Sequence, residues 1–461
     1  MNLRKLIRNG INGINAKKLT KFKYNKDLNK AIKSANGISG QQHDYFQQNI
    51  LNFYNPNTVT PFMPISAKGP WIITSNGAIV YDVGGYGMLG FGHSPEWCSY
   101  VLGKDHVMAN VMTPNKYQYK LTKLLREIGQ SNNKDCPYSH FCFLNSGSES
   151  IELSKRIIDL GYKDDEKVAT IVLKNGFHGR TTNAARLSDS TRITYEKLLG
   201  SKMFSNQKIV SVEVNNLPDF NYTFNDLAKD YKIDAVYMEP VMGEGNPGIK
   251  LERNFYQLVR EKTKQHNTKL VIDSVQSCLR TTGNLSIVDY SWLKGLEAPD
   301  MEIFSKAITN GHFPLSILAM RRLMKDQYKT GIYGNTYTGN PKALDLCYHT
   351  LKNVDDKVKE NIVIMGTVFK NMLYSLQEKH KDIVTNVTGT GLLLALHIRE
   401  DIIVDKQYGL EYICRKNGLN VIHGGKNALR FTPYFLITKD EIELIKSILD
   451  ESLMEVKLKS I

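Results

Sequence analysis

Lys269-Leu-Val-Ile-Asp-Ser-Val-Gln276 and Met301-Glu-Ile-Phe-Ser-Lys-Ala307 decide how this chain folds. Each is a short run, mostly apolar, that leads to a charged group: Leu270 to Ile272 run into Asp273, and Met301 to Phe304 lead to Lys306. Runs of this length read as strands buried in a parallel sheet. They would deliver a carboxylate and an amine to the C-terminal edge, where open α/β sheets bind ligands. The two groups could equally form a plain ion pair, so the flanking residues have to decide.

Working outward, Phe141-Cys-Phe-Leu-Asn-Ser-Gly-Ser-Glu-Ser150 reads as a third strand, a turn of small residues and the start of a helix. The free N–H groups and dipole of such a helix end favour an anion. Ser146 and Glu149 form a capping box, a pattern that most often does no more than start a helix. Pyridoxal phosphate (PLP) chemistry needs three things: a lysine to form an imine, an acid to keep the pyridine nitrogen protonated, and a phosphate cradle. Lys306, Asp273 and the turn at Gly147 and Ser148 are of the right types.

Further motifs follow in order: Gly84-Gly-Tyr-Gly-Met-Leu-Gly-Phe-Gly-His93, Phe177-His-Gly-Arg-Thr181, Glu239-Pro-Val-Met-Gly-Glu-Gly245, Thr336-Tyr-Thr-Gly-Asn-Pro341 and Leu429-Arg-Phe431. With the stretches above, they make the chain resemble the class III (ω-amino acid) aminotransferases of the fold-type I PLP enzymes, over roughly residues 70 to 445. The resemblance implies an α/β fold with a doubly wound, mostly parallel sheet in a large domain and a smaller C-terminal α/β domain. It implies Lys306 as the imine-forming and proton-shuttling residue and Asp273 as the pyridinium partner. Val275 and Phe177 would pack on the ring, Gln276 would reach its hydroxyl, and Gly147 and Ser148 would bind the phosphate. Thr336 would complete the cradle of a neighbouring subunit, which requires a homodimer with shared sites, although Gly339 and Asn340 also suit a plain turn. Arg180 and Arg430 fall where the family binds substrate carboxylates, Glu244 where it screens the second arginine, and Tyr86 where it lines the substrate channel. Glu239 is read as ordering its neighbours. Three departures stand out: Ser274 replaces the usual acid, Ser150 replaces the usual alanine, and Thr309-Asn-Gly-His-Phe-Pro314 is irregular.

A chain of 461 residues can bury a large core. Of its net charge of +14, eight charges lie in residues 1 to 26 without an acid, leaving +6 for the rest, which is mild and gives no reason to invoke nucleic acid. Six scattered cysteines, with no CxxC and no zinc-ligand spacing, point to reduced thiols inside a cell and to no metal. The longest apolar run, Leu392 to Leu396, is strand-sized, so a soluble protein without a membrane span is expected. Leu3, Ile7, Ile11 and Ile14 recur at helical spacing opposite Arg4, Lys5 and Arg8, as in a transit peptide to the mitochondrial matrix. The absence of serine before Ser34 and the abundant Asn instead suit a flexible basic tail on a cytoplasmic protein.

Along the chain, Trp71 to Asp82 reads as a hairpin around Ser75-Asn-Gly77, Pro114 as a helix start, and residues 140 to 320 as alternating strands and helices. A long helical run follows over 342 to 376, then strands near Leu392 to Ile398 and Leu429 to Phe431 and a helix from Thr438. The expected organisation is a flexible segment over 1–40, a hairpin segment over 41–100 packing on the small domain, a large PLP-binding domain over 101–341 and a small domain over 342–461. The reading is an aminotransferase moving an amino group from an ω-amino donor to a keto acid, 2-oxoglutarate. The competing readings are a PLP aminomutase, decarboxylase or racemase, and a silent relative working as a binding protein.

Overall fold

The computed structural model describes residues 13–35, 60, 62–108, 113–130, 134–200 and 208–459. They fall into two compact units, Tyr100–Lys359 and the described parts of Met1–Ser99 with Glu360–Ile461. The first holds a seven-stranded sheet. Its elements, in chain order, are β1 (His140–Leu144), α1 (Gly147–Asp159), β2 (Val168–Leu173), β3 (Lys208–Val212), α2 (Leu217–Leu227), β4 (Lys232–Met238), α3 (Arg253–Gln265), β5 (Lys269–Asp273), β6 (Met301–Phe304) and β7 (Ser316–Met320). The spatial order is β1-β7-β6-β5-β4-β2-β3, and β7 alone runs antiparallel to its neighbours.

The central strands are apolar at nearly every position because both faces are covered. Leu270 and Ile272 of β5 join Phe220, Phe224, Phe255 and Val259 of α2 and α3 on one side. Val271 and Ile303 join Ile151, Leu153 and Ile157 of α1 on the other. Each such side chain taken fully from water contributes about 1.5–3 kcal/mol, so the sheet edge is a stiff platform for whatever its strands carry.

The helical run expected over 342–376 is two helices, Pro341–Asn353 and Asp356–Lys379. Asp355 breaks it: its carboxylate accepts the Val358 N–H at 2.9 Å, so the aspartate caps a new helix and does not continue the old one. Pro114 is likewise not the first helical residue; Asn115 caps a helix beginning at Lys116, with Gln118 completing the box. The helix Pro341–Asn353 lies within the sheet unit, and a boundary between the units falls after Lys359.

The second unit has two four-stranded sheets, one containing the Trp71–Thr74 and Ile79–Asp82 hairpin with Leu419–Asn420, the other Val384–Thr390, Leu393–Ile398, Ile422–Gly424 and Ala428–Phe431. The expected flexible tail over 1–40 is corrected for residues 13–35. There Asn25 caps a helix over Lys26–Ser34, Phe22 packs edge-on to Trp71 at 5.2 Å, Ile14 bonds to Ile79, and Leu28 and Ala31 are buried. The apolar face formed by Phe22, Leu28 and Ala31 outweighs the basic residues between them. Leu3, Ile7 and Ile11 lie outside the described residues, as does most of 36–61.

Candidate active site

Asp273 ends β5, and its register partner on β6 is Ile303, three residues before Lys306. Asp273 is buried and its Oδ2 lies 2.8 Å from Nδ1 of His178, whose side chain is wholly enclosed. Burial acts most strongly on His178 and pulls its pKa down, but the Asp273 hydrogen bond and charge, with Glu239 further off, outweigh it and raise the imidazole above its usual range. Nδ1–H therefore points at the carboxylate. Glu239, the residue after β4, is buried beside them and accepts the N–H groups of Phe177 at 3.0 Å and Gly243 at 2.8 Å. Burial pushes its carboxyl up to about 7 against the lowering influence of His178. Thus Glu239 fastens the Phe177 turn to the Gly243 turn, the ordering role read for it.

Gly147 opens α1, where the first N–H groups have no intrahelical acceptor. A Cβ on Gly147 would sit 2.8 Å from Cγ2 of Val275, so only glycine lets this helix end approach the turn after Asp273. Ser146 and Glu149 close the capping box, and Asn335 fastens the other Glu149 oxygen at 2.9 Å. The Ser148 hydroxyl accepts the Arg180 N–H at 3.2 Å, tying the Phe177 turn to the same helix end. Gly179 makes that possible: at φ +124, its Cβ position would be 2.1 Å from Ser148 Oγ.

Lys306 follows β6 with φ +55, a left-handed conformation that costs a side-chain residue about 1–2 kcal/mol. Strain of this kind gathers at functional sites, where the surrounding structure holds it in place. Gln276 packs against Gly243 and donates to Glu244 Oε2 at 3.4 Å. Arg180 is exposed, stacks on Phe177 at 5.7 Å and donates to the Tyr195 hydroxyl at 3.0 Å. Thr336 is exposed in the turn before Gly339, whose φ is +72, and Asn340 caps the following helix, so these two residues serve the turn and the cap. Tyr86 and Arg430 belong to the other unit; there Tyr86 has φ +52 and Arg430 is almost fully buried on its strand.

His178 is the site residue that the sequence reading passed over, and Tyr195 is a second. Neither carries a local signal, since their partners are 95 and 15 residues away. The departures have partners of their own. Ser150 Oγ lies 2.6 Å from Ser316 Oγ, and Ser274 donates at 2.6 Å to Glu302, a carboxylate on β6 with no solvent exposure. In the irregular loop, Thr309 donates to the Phe313 carbonyl at 2.7 Å while Asn310 and Gly311 take positive φ.

Residues 53–453 match the family model described as Aminotransferase class-III. The chain is 27% identical over 428 residues to the mitochondrial acetylornithine aminotransferase of Neurospora crassa, covering 88% of this chain and 87% of that protein. It is 28% identical over 329 residues to acetylornithine aminotransferase of Clostridium acetobutylicum, covering 69% and 78%. In fold it is similar to the ornithine aminotransferase of Toxoplasma gondii ME49, with a TM-score of 0.75 and 20% identity over 90% of this chain and 95% of that one.

Proposed function

The chain belongs to the class III aminotransferases, PLP-dependent transaminases, and from that premise we propose that Lys306 and Asp273 transfer an amino group from an ω-amino donor to 2-oxoglutarate. What carries the reading is the convergence at one sheet edge of a buried, histidine-bonded Asp273, the strained Lys306 and a helix N-terminus held close by Gly147.

These residues fit PLP, because the glycine that meets Val275 leaves open N–H groups beside an acid and an amine. When bound, PLP supplies an electron sink that acidifies the substrate carbon bearing the amine. Lys306 Nζ takes the proton from that carbon and returns it on the far side of the exchange. Asp273 favours a proton on the pyridine nitrogen, and His178 holds its carboxylate in place. Val275 and Phe177 hold the ring, Gln276 its hydroxyl, and Gly147 and Ser148 the phosphate, with Thr336 contributed by a second copy of the chain. Arg180 and Arg430 take substrate carboxylates, Glu244 tunes the arginine charge toward ω-amines, and Tyr86 lines the approach.

Relatives named for acetylornithine and ornithine make those two amines the first donors to test. The experiment is a donor screen with 2-oxoglutarate in which glutamate is measured. No glutamate from any ω-amine, with PLP held on Lys306, would turn the assignment toward an aminomutase, decarboxylase or racemase. Among the described residues no helix is long and apolar enough to cross a membrane, and all six cysteines are free, which supports work in a reducing compartment. A cut after residue 26 would remove Ile14 and Phe22 from the core, so any cleaved leader ends before Gly13.

A further inference from the structure

Glu302 lies in the run that reads as a buried strand, and the structure leaves it with no exposure on the middle of β6. Four donors converge on it. The Ser274 hydroxyl at 2.6 Å and the Ile287 N–H at 2.9 Å reach one oxygen, and the Tyr138 and Ser286 hydroxyls reach the other. Burial nevertheless pushes its carboxyl up to about 7, with the four donors opposing. A charge placed this deep, among residues the reaction does not touch, calls for a reason.

The reason is in the alternation of β5. Successive side chains point to opposite faces, so Asp273 and Val275 face the site while Ser274 between them faces Glu302. Ser274 N–H continues the ladder to the Ile303 carbonyl at 3.0 Å, and its hydroxyl pins the residue from behind. The same carboxylate holds Ser286 and Ile287, where the chain returns after carrying Val275 and Gln276. It also sits four residues before Lys306 on one strand.

We propose that Glu302 is a positioning residue of the PLP site, acting through Ser274 to fix Asp273 and Val275 against the cofactor while anchoring both ends of the segment from 274 to 287. The proposal rests on the reading of Asp273, Val275 and Lys306 given above. It makes a distinction that a merely structural carboxylate would not. Ser274 and Tyr138 each give Glu302 one hydroxyl donor, but only Ser274 lies between two site residues.

The test uses full-length apoenzyme of wild type, Ser274→Ala, Tyr138→Phe and Glu302→Gln, each titrated with PLP by absorbance and melted without it. Ser274→Ala is expected to raise the PLP dissociation constant about tenfold, the scale of one hydrogen bond to a charged group, and Tyr138→Phe to leave it within about twofold. Glu302→Gln keeps an acceptor for Ser274 and Ile287, while its amide can donate to the Tyr138 and Ser286 oxygens once those hydroxyls turn. It should therefore bind PLP within about threefold of wild type, and its folding serves as the control for the other two. Equal weakening by Ser274→Ala and Tyr138→Phe, or none by either, overturns the proposal and leaves Glu302 as core. Borohydride reduction of wild type separates the two levels: if Lys306 is not labelled, the site assignment fails first and takes this one with it.

Discussion

Gly147→Ala tests the cradle most directly. The added Cβ would lie 2.8 Å from Val275 Cγ2 and 3.3 Å from Cγ1. Carbon contacts settle near 3.5–4.0 Å, so the closest pair is short by about 0.7–1.2 Å. The apoenzyme can relieve this by turning Val275 or easing the first turn of α1 outward. Alanine is also the better helix former by about 1 kcal/mol, so apoenzyme melting should hold or rise. With PLP bound, the helix N–H groups are held by the phosphate and Val275 by the ring, and the strain has no outlet. Overpacking of about 1–3 kcal/mol then appears on binding, a roughly 5- to 150-fold rise in the PLP dissociation constant by absorbance titration. Val275→Ala removes both γ carbons and leaves only the Val275 Cβ, at an ordinary 3.6 Å. The double mutant should recover most of the loss relative to Val275→Ala alone, a coupling of about 1–3 kcal/mol. Gly147→Ala binding PLP within about twofold of wild type, or the same loss in both backgrounds, would refute the close approach of helix end and ring shelf.

Borohydride reduction of the PLP-loaded enzyme should place the label on Lys306 by peptide mass spectrometry; label on another lysine removes Lys306 from its role. Thr336→Ala should weaken PLP retention without changing melting, in a protein that sediments as at least a dimer, and a fully active monomer at micromolar concentration contradicts the shared site. Arg430→Ala should slow the 2-oxoglutarate half-reaction by about 10- to 150-fold and the amine half less, read by single turnovers, while Glu244→Gln should make glutamate a better donor; equal losses in both halves for Arg430→Ala make the arginine structural. Stability should fall as pH rises from about 4.5 to about 7, because Glu239 and Glu302 titrate near 7 when folded and the folded state holds protons that the unfolded chain has released. Each raised carboxyl contributes on the order of 3 kcal/mol to that fall, so Glu302→Gln should flatten the urea midpoint between pH 5 and 8, and an unchanged slope would show that Glu302 is not the group titrating.

Asp273 and Lys306 were legible because burial on both faces makes parallel strands read as apolar runs, and a charge ending such a run is conspicuous. The helix end at Gly147 was legible because Ser146 and Glu149 are local partners. His178 was not, since its meaning depends on an aspartate 95 residues away that only the sheet brings near. Glu302 was hidden for the opposite reason: one acid inside an apolar run passes for the solvent face of a strand, and its four donors come from three separate segments. The packed helix over Lys26–Ser34 was masked by its lysines, whose charge outweighed Leu28 and Ala31 in the reading of the terminus.

The departures from the family pattern bear on whether this chain could be a silent relative. A site released from its function accumulates substitutions whose polar atoms need no partner chosen for them, and each orphan left in the core costs about 1–3 kcal/mol. Here Ser150 meets Ser316, which in turn donates to the Phe304 carbonyl at 3.1 Å, and Ser274 meets Glu302. Both substitutions sit directly behind the site, one inside the first turns of α1 and one beside Asp273, and both are absorbed by strands β6 and β7. Glu302 carries the strongest form of the argument. A fully buried carboxyl raised to about 7 is costly to keep, and replacing it with an apolar residue of similar volume is often neutral or stabilising. Its retention, with Ser274 as its link to Asp273 and Val275, is accounted for by a site that still has to hold its cofactor in one place.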